Sequence, residues 1–149
     1  MRIEVFWIGK TRLPGVAALT EEYGRRLGRY CDFRGIETRP SRKNGARASE
    51  EVVMRSHSEG SLRIVLDPAG KPWSSVELAR YIGRLRDRGQ RSVAFCVGGA
   101  DGFSREFREQ ADLLLSLSPL TLPHELARVL LLEQLYRAFT MMAHHPYPR

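Results

Sequence analysis

Cysteine is scarce in this chain of 149 residues, and the two that occur, Cys31 and Cys96, stand far apart with no C-x-x-C pair. That excludes a disulfide-stapled fold, a thiolate zinc site and a thioredoxin-like motif, and leaves free thiols in a cytoplasmic protein as the expectation. Long apolar runs are missing as well. The longest, around residues 126–132, is interrupted by Arg128 and falls far short of the ~20 residues that cross a bilayer. Met1 leads directly into Arg2-Ile-Glu-Val-Phe-Trp-Ile8, too short and too early for a signal peptide, so neither membrane passage nor membrane binding is expected. Lysine is nearly absent. Only Lys10, Lys43 and Lys71 stand among 24 Lys and Arg residues, so the net charge of +7 against 17 Asp and Glu is carried almost wholly by arginine. Arginine forks suit phosphate contacts, which points to nucleic acid, while a solvated arginine-rich face accounts for the same composition.

What is present is an ordinary globular balance, 42% hydrophobic and 28% charged, and a length that fills one domain over residues 1–149. Strand-like and helix-like segments alternate throughout. Residues 2–8 read as a strand, 14–29 as a helix with Pro14 in its first turn, 32–38 as a weaker strand and 48–58 as a helix. Leu62-Arg-Ile-Val-Leu-Asp67 reads as a strand and Pro68-Ala-Gly-Lys-Pro72 as a loop. Ser74 or Ser75 caps a helix to about Arg88, and Ser92-Val-Ala-Phe-Cys-Val97 is a buried strand of the parallel-sheet kind. Ser104 starts a short helix, Asp112 to Leu117 form another buried strand, and His124 opens the longest helix, to about Ala143. The pattern predicts an α/β domain with a mostly parallel sheet and helices on both faces.

The last helix is apolar at thirteen of the twenty positions 124–143. That exceeds the single stripe a surface helix buries, so a second copy of the chain is expected to cover it in a homodimer. In parallel α/β sheets ligands bind beyond the carboxyl ends of the strands. Three loops there have unusual composition: Asp67-Pro-Ala-Gly-Lys-Pro72, Gly98-Gly-Ala-Asp-Gly102 and Ser118-Pro-Leu-Thr-Leu-Pro123. Glycines after a strand admit close backbone approach, and the stiff apolar third loop suits a flat heterocycle. At the tail, His144, His145, Tyr147 and Arg149 combine rings and charge in the way that holds an unstacked base, with no carboxylate or cysteine nearby for a metal.

These same segments carry a resemblance. Leu66-Asp67 through Gly70-Lys-Pro-Trp73, Val97-Gly-Gly99 with Asp101-Gly102, Leu117-Ser-Pro-Leu-Thr-Leu-Pro-His124, Leu135-Tyr-Arg-Ala138 and His145-Pro-Tyr147 occur in order from the middle of the chain to its tail. With these motifs the sequence closely resembles the large-subunit ribosomal RNA pseudouridine-N3-methyltransferases of the SPOUT superfamily, the compact large-subunit rRNA methyltransferase H family. The resemblance implies a deep trefoil knot in the C-terminal part, a homodimer through the last helix, and S-adenosylmethionine as cofactor without metal. It implies that Leu66, Gly99 and the loop Ser118, Pro119, Leu120, Thr121, Leu122, Pro123 line the cofactor pocket. The implied reaction transfers a methyl group to N3 of a pseudouridine in 23S rRNA on the assembled ribosome. The alternatives are tRNA methylation by the same fold, or a non-catalytic ribosome-binding module.

N3 must lose its proton, and His145, Tyr147 and Arg137 are the candidates for base or charge stabiliser, His145 first because its ordinary pKa is near neutrality. The family tail commonly reads His-Pro-Tyr-His. Here Pro148 stands in place of the final His, so no role for that imidazole carries over. Candidate phosphate contacts are Arg42, Lys43 and Arg47 beside Gly45, with Lys10 and Arg12 after the first strand, whereas Arg84, Arg86 and Arg88 read as a solvated face.

Overall fold

The computed structural model describes residues 1–39 and 46–147. Among them five strands, β1 (Arg2–Ile8), β2 (Asp32–Thr38), β3 (Leu62–Lys71), β4 (Ser92–Val97) and β5 (Leu113–Leu115), interleave with helices α1 (Pro14–Leu27), α2 (Ala46–His57), α3 (Ser75–Asp87), α4 (Arg105–Glu109) and α5 (His124–Met142). The sheet order is β2-β1-β4-β3-β5 and every pairing is parallel.

The period-2 alternation of the strands decides the layers. Ile3, Val5, Trp7, Ile64, Val93, Phe95 and Val97 face one side and pack with α1, α3 and α5, while Phe6, Val65, Ala94 and Cys96 face the other and meet Met54 of α2 and Phe107 of α4. Because both faces are covered, β4 is apolar from Val93 to Val97 and needs no polar alternation. α5 lies between α1 and α3 with Leu131, Leu132, Leu135, Ala138 and Phe139 buried. Leu126, Leu130 and Met141 of the same helix remain 38–45% exposed, so one chain leaves part of the apolar surface uncovered. No helix among the described residues is long and apolar enough to cross a membrane.

One segment departs from expectation. Pro68-Ala-Gly-Lys71, read as a loop, continues β3, because after a register shift Lys71 pairs with Leu115 and its carbonyl accepts the Ser116 N–H at 3.0 Å. Gly70 makes this crossing possible: a Cβ there would stand 2.6 Å from the Leu114 carbonyl carbon. β5 is correspondingly shorter than residues 112–117, since its chain turns at Ser116.

Serine caps start α3 and α4. Ser74, rather than Ser75, caps α3 in a reciprocal box with Glu77. Ser104 caps α4, its hydroxyl accepting the Phe107 N–H at 3.1 Å and donating to Glu51 of α2 at 2.6 Å. Ser104→Ala therefore removes a cap and a link to α2, and urea unfolding should show a loss of about 1–2 kcal/mol; an unchanged midpoint contradicts this account of the loop.

Candidate functional site

A cavity of about 520 Å³ opens beyond the carboxyl ends of β3, β4 and β5. It brings together Leu66, Gly99, Ser118, Leu120, Thr121, Leu122 and Pro123, whereas Pro119 is not part of its wall. Asp67, Gly98, Ser116, Leu117, His124 and Ala127 line it too. The loops that begin at Asp67 and Gly98 were expected at this edge, and Leu117 and His124 sat in the motifs, whereas Ser116 and Ala127 carried no sequence signal; only the sheet shows which side chains reach the hollow. A second hollow of about 570 Å³ lies at the amino edge of the sheet among Arg2, Glu4, Asp32 and His57. It is highly charged and on the wrong side of a parallel sheet for a ligand cleft.

The wall of the first cavity is chemically selective. Among the described residues no lysine or arginine lines it, in a chain that has 24 of them. The one carboxylate among its described lining residues, Asp67, is fixed by accepting the Ala69 N–H at 2.8 Å and a long contact from Arg108 at 3.4 Å. The 118–123 loop is preset by local bonds, the Leu120 N–H donating to the Ser118 hydroxyl at 2.9 Å and the Ser116 hydroxyl to the Ser118 carbonyl at 3.1 Å. A Cβ at Gly99 would meet only Ile8, at 3.8 Å, so this glycine keeps the floor open.

The tail residues gather elsewhere. His144 adopts a left-handed turn (φ 54) that reverses the chain after α5, and the His145 N–H bonds back to the Thr140 carbonyl at 2.9 Å. His145 Nδ1 then shares a 2.8 Å hydrogen bond with the Tyr30 hydroxyl. Tyr147 packs edge-on against Tyr136 at 4.9 Å, and its hydroxyl lies 3.4 Å from that of Tyr23. Arg137 stacks over the Tyr147 ring at 4.7 Å and pairs with Glu133 at 2.6 Å. Burial, then the Tyr23 contact and the Glu133 charge, hold the Tyr147 phenol well above its ordinary pKa. Tyr147 is therefore a neutral hydrogen-bonding group at physiological pH and no base, which narrows its candidate role to stabiliser.

The three catalytic candidates thus form one cluster, but not at their own chain's cavity. On α5 the cavity wall ends at Ala127, and Arg137 of the cluster lies about 15 Å further along the axis. Lys10 and Arg12 are exposed on the loop after β1. Arg84, Arg86 and Arg88 are exposed on α3 or just beyond its end, with Arg86 beside Asp87 at 3.4 Å. Arg42, Lys43 and Gly45 lie outside the described residues, as do Pro148 and Arg149, and Arg47 is placed only by its backbone in α2. Among the described residues no cluster of three or more His, Cys, Asp or Glu could hold a metal.

A wholly parallel sheet with helices on both faces and a largely apolar cleft at its carboxyl edge is the architecture of an α/β protein with a small-ligand site. The chain matches the family described as "Predicted SPOUT methyltransferase" over residues 1–148, and it belongs to that family. It is 45% identical over 149 residues to the "Ribosomal RNA large subunit methyltransferase H" of Thermus thermophilus, covering 100% of this chain and 99% of that protein. The protein of the same name from Koribacter versatilis is 40% identical over 151 residues, covering 99% and 97%. Among solved structures, a probable methyltransferase from Bordetella pertussis Tohama I is similar at TM-score 0.61 and 17% identity, over 92% of this chain and 95% of that one. A probable methylase family protein from Haemophilus influenzae Rd KW20 is similar at TM-score 0.63 and 13% identity, over 99% and 72%.

Proposed function

We propose that this methyltransferase uses S-adenosylmethionine to methylate N3 of a pseudouridine in 23S rRNA of the assembled ribosome, acting in the cytoplasm as a homodimer. The observation that carries the cofactor is the cavity's charge. A sulfonium is repelled by cations and accommodated by apolar walls, backbone carbonyls and one carboxylate, which is what Leu66, Gly99 and the 118–123 loop with Asp67 offer. Bound there, S-adenosylmethionine supplies an electrophilic methyl group. The deep trefoil knot of the C-terminal half belongs to the same proposal, as does the RNA substrate, which draws support from the relatives' names and the +7 charge.

The protein's own part is to orient the base and manage its proton. Held orientation lowers such a barrier by up to about 7–11 kcal/mol, so most of the rate comes from placement. With Nδ1 of His145 occupied by Tyr30, only Nε2 is left to face the N3 proton. Arg137 and the neutral Tyr147 hydroxyl stabilise the negative charge left on the ring. Because this cluster stands outside the wall of its own cavity, it serves the cavity of a second subunit. Leu126, Leu130 and Met141 lie within about 60° of arc on α5 together with Arg137, an exposed ridge suited to a two-fold contact.

Labelled methyl transfer from S-adenosylmethionine to ribosomes lacking the modification tests the proposal. Incorporation mapped to pseudouridine N3 is expected. Transfer to purified tRNA alone moves the substrate, and no cofactor binding by folded protein leaves a non-catalytic module.

A further inference from the structure

Arg128 is the largest fully buried side chain among the described residues, and its hydrogen bonds go to Thr11 and Ile8 and to no described carboxylate. Its Nη1 donates to the Thr11 hydroxyl at 2.6 Å, its Nη2 makes a long contact to the Ile8 carbonyl at 3.5 Å, its carbon lies 5.1 Å from the Trp7 ring centre, and Nε has no partner. Three residues earlier on α5, the buried Glu125 accepts the backbone N–H groups of Arg12 at 2.7 Å and Leu13 at 3.3 Å. A buried cation and a buried anion on adjacent turns thus spend their hydrogen bonds on residues 8–13 instead of on each other. Burying a guanidinium costs more than burying an apolar isostere, so stability alone does not account for Arg128.

The segment they hold leaves the end of β1 through Gly9, whose φ of +81 starts the bend, and carries the exposed Lys10 and Arg12. The segment starts behind the cavity wall: Ile8 is the side chain that a Cβ on the wall residue Gly99 would meet, at 3.8 Å. The same turn of α5 lines that cavity with His124 and Ala127.

We propose that Glu125 and Arg128 are positioning residues that clamp the loop between β1 and α1, so that Lys10 and Arg12 meet the phosphates of the RNA entering the cavity. The proposal rests on the RNA-methyltransferase function above. Each phosphate contact contributes a slope of about 0.7–0.9 to the dependence of log K on log salt.

The test measures ribosome affinity against salt for the wild type, Arg128→Met, the double variant Lys10→Gln/Arg12→Gln, and the triple combination. Arg128→Met is expected to lower the slope by as much as the double variant, about 1–2 in all, with no further decrease in the triple. It should raise the KM for ribosomes at least about tenfold while S-adenosylmethionine affinity by calorimetry stays within about twofold. Thr11→Val, which removes the main Arg128 acceptor at a partly exposed position, should reproduce the effect if Arg128→Met does not fold. A folded, cofactor-binding Arg128→Met or Thr11→Val with the wild-type slope overturns the clamp and leaves the methyltransferase function standing, as do decreases that simply add in the triple. A wild type with no salt-dependent ribosome binding overturns both together.

Discussion

Gly99→Trp is expected to abolish S-adenosylmethionine binding, with affinity falling at least ~100-fold, while the unfolding midpoint barely moves. A Cβ at Gly99 meets only Ile8 at 3.8 Å, so the backbone tolerates a side chain, but an indole has no space other than the cavity of about 520 Å³. A lost 100-fold is about 2.7 kcal/mol, well within what a filled pocket removes. Gly99→Ala should bind nearly as well as the wild type. The same variant tests the shared site: mixed with His145→Ala, exchanged dimers hold one site with both defects and one with neither, so about a quarter of wild-type methyl transfer should return. If subunits demonstrably exchange and no activity returns, the tail does not serve the partner's cavity. Calorimetry and labelled-methyl assays read both results.

Gly70→Val should cost at least about 3 kcal/mol in urea unfolding and weaken cofactor binding in parallel. The added Cβ would lie 2.6 Å from Leu114 C, 2.7 Å from Leu115 N and 2.8 Å from Leu114 O. These are backbone atoms, and no rotamer change relieves them; β3 and β5 must separate. Since β5 leads through Ser116 directly into the 118–123 loop, the cavity wall moves with it. Gly15→Ala in the first turn of α1, where a Cβ meets nothing within 4 Å, is the control and should leave stability unchanged or slightly raised. A Gly70→Val protein as stable as the wild type would contradict the β3–β5 crossing.

Much of the cavity was legible in the chain. Buried apolar strands followed by glycine or proline turns are local patterns, and a parallel sheet sends the loops after such strands to one edge, so the loops starting at Asp67, Gly98 and Ser118 were expected together, while Leu66 came from the family resemblance. Pro119 is not part of the wall, although Ser118 and Leu120 on either side of it both line the hollow. The strand character of Pro68-Ala-Gly-Lys71 was hidden for a different reason. Pairing of Lys71 with Leu115 is a contact 44 residues away, and Pro, Ala and Gly signal a turn whenever no partner strand is known. The tail was read as a base-holding group, yet nothing local shows that it folds onto Tyr23, Tyr30 and Tyr136.

By itself the sequence determined the alternation of strands and helices, the absence of thiol, metal and membrane chemistry from its motifs, the loops that build the cleft and the family to which the chain belongs. These follow from periodicity, turn chemistry and ordered motifs, all written within a few residues of each other. Only the tertiary structure decided the strand order β2-β1-β4-β3-β5, the lack of arginine among the described residues of the cavity wall, the gathering of the tail with Arg137 away from that wall, and the use of Glu125 and Arg128 to hold a loop more than 110 residues away in the chain. Those depend on which distant surfaces meet when the sheet closes under its helices, and burial or pairing of a charge is a property of that meeting and not of the residue.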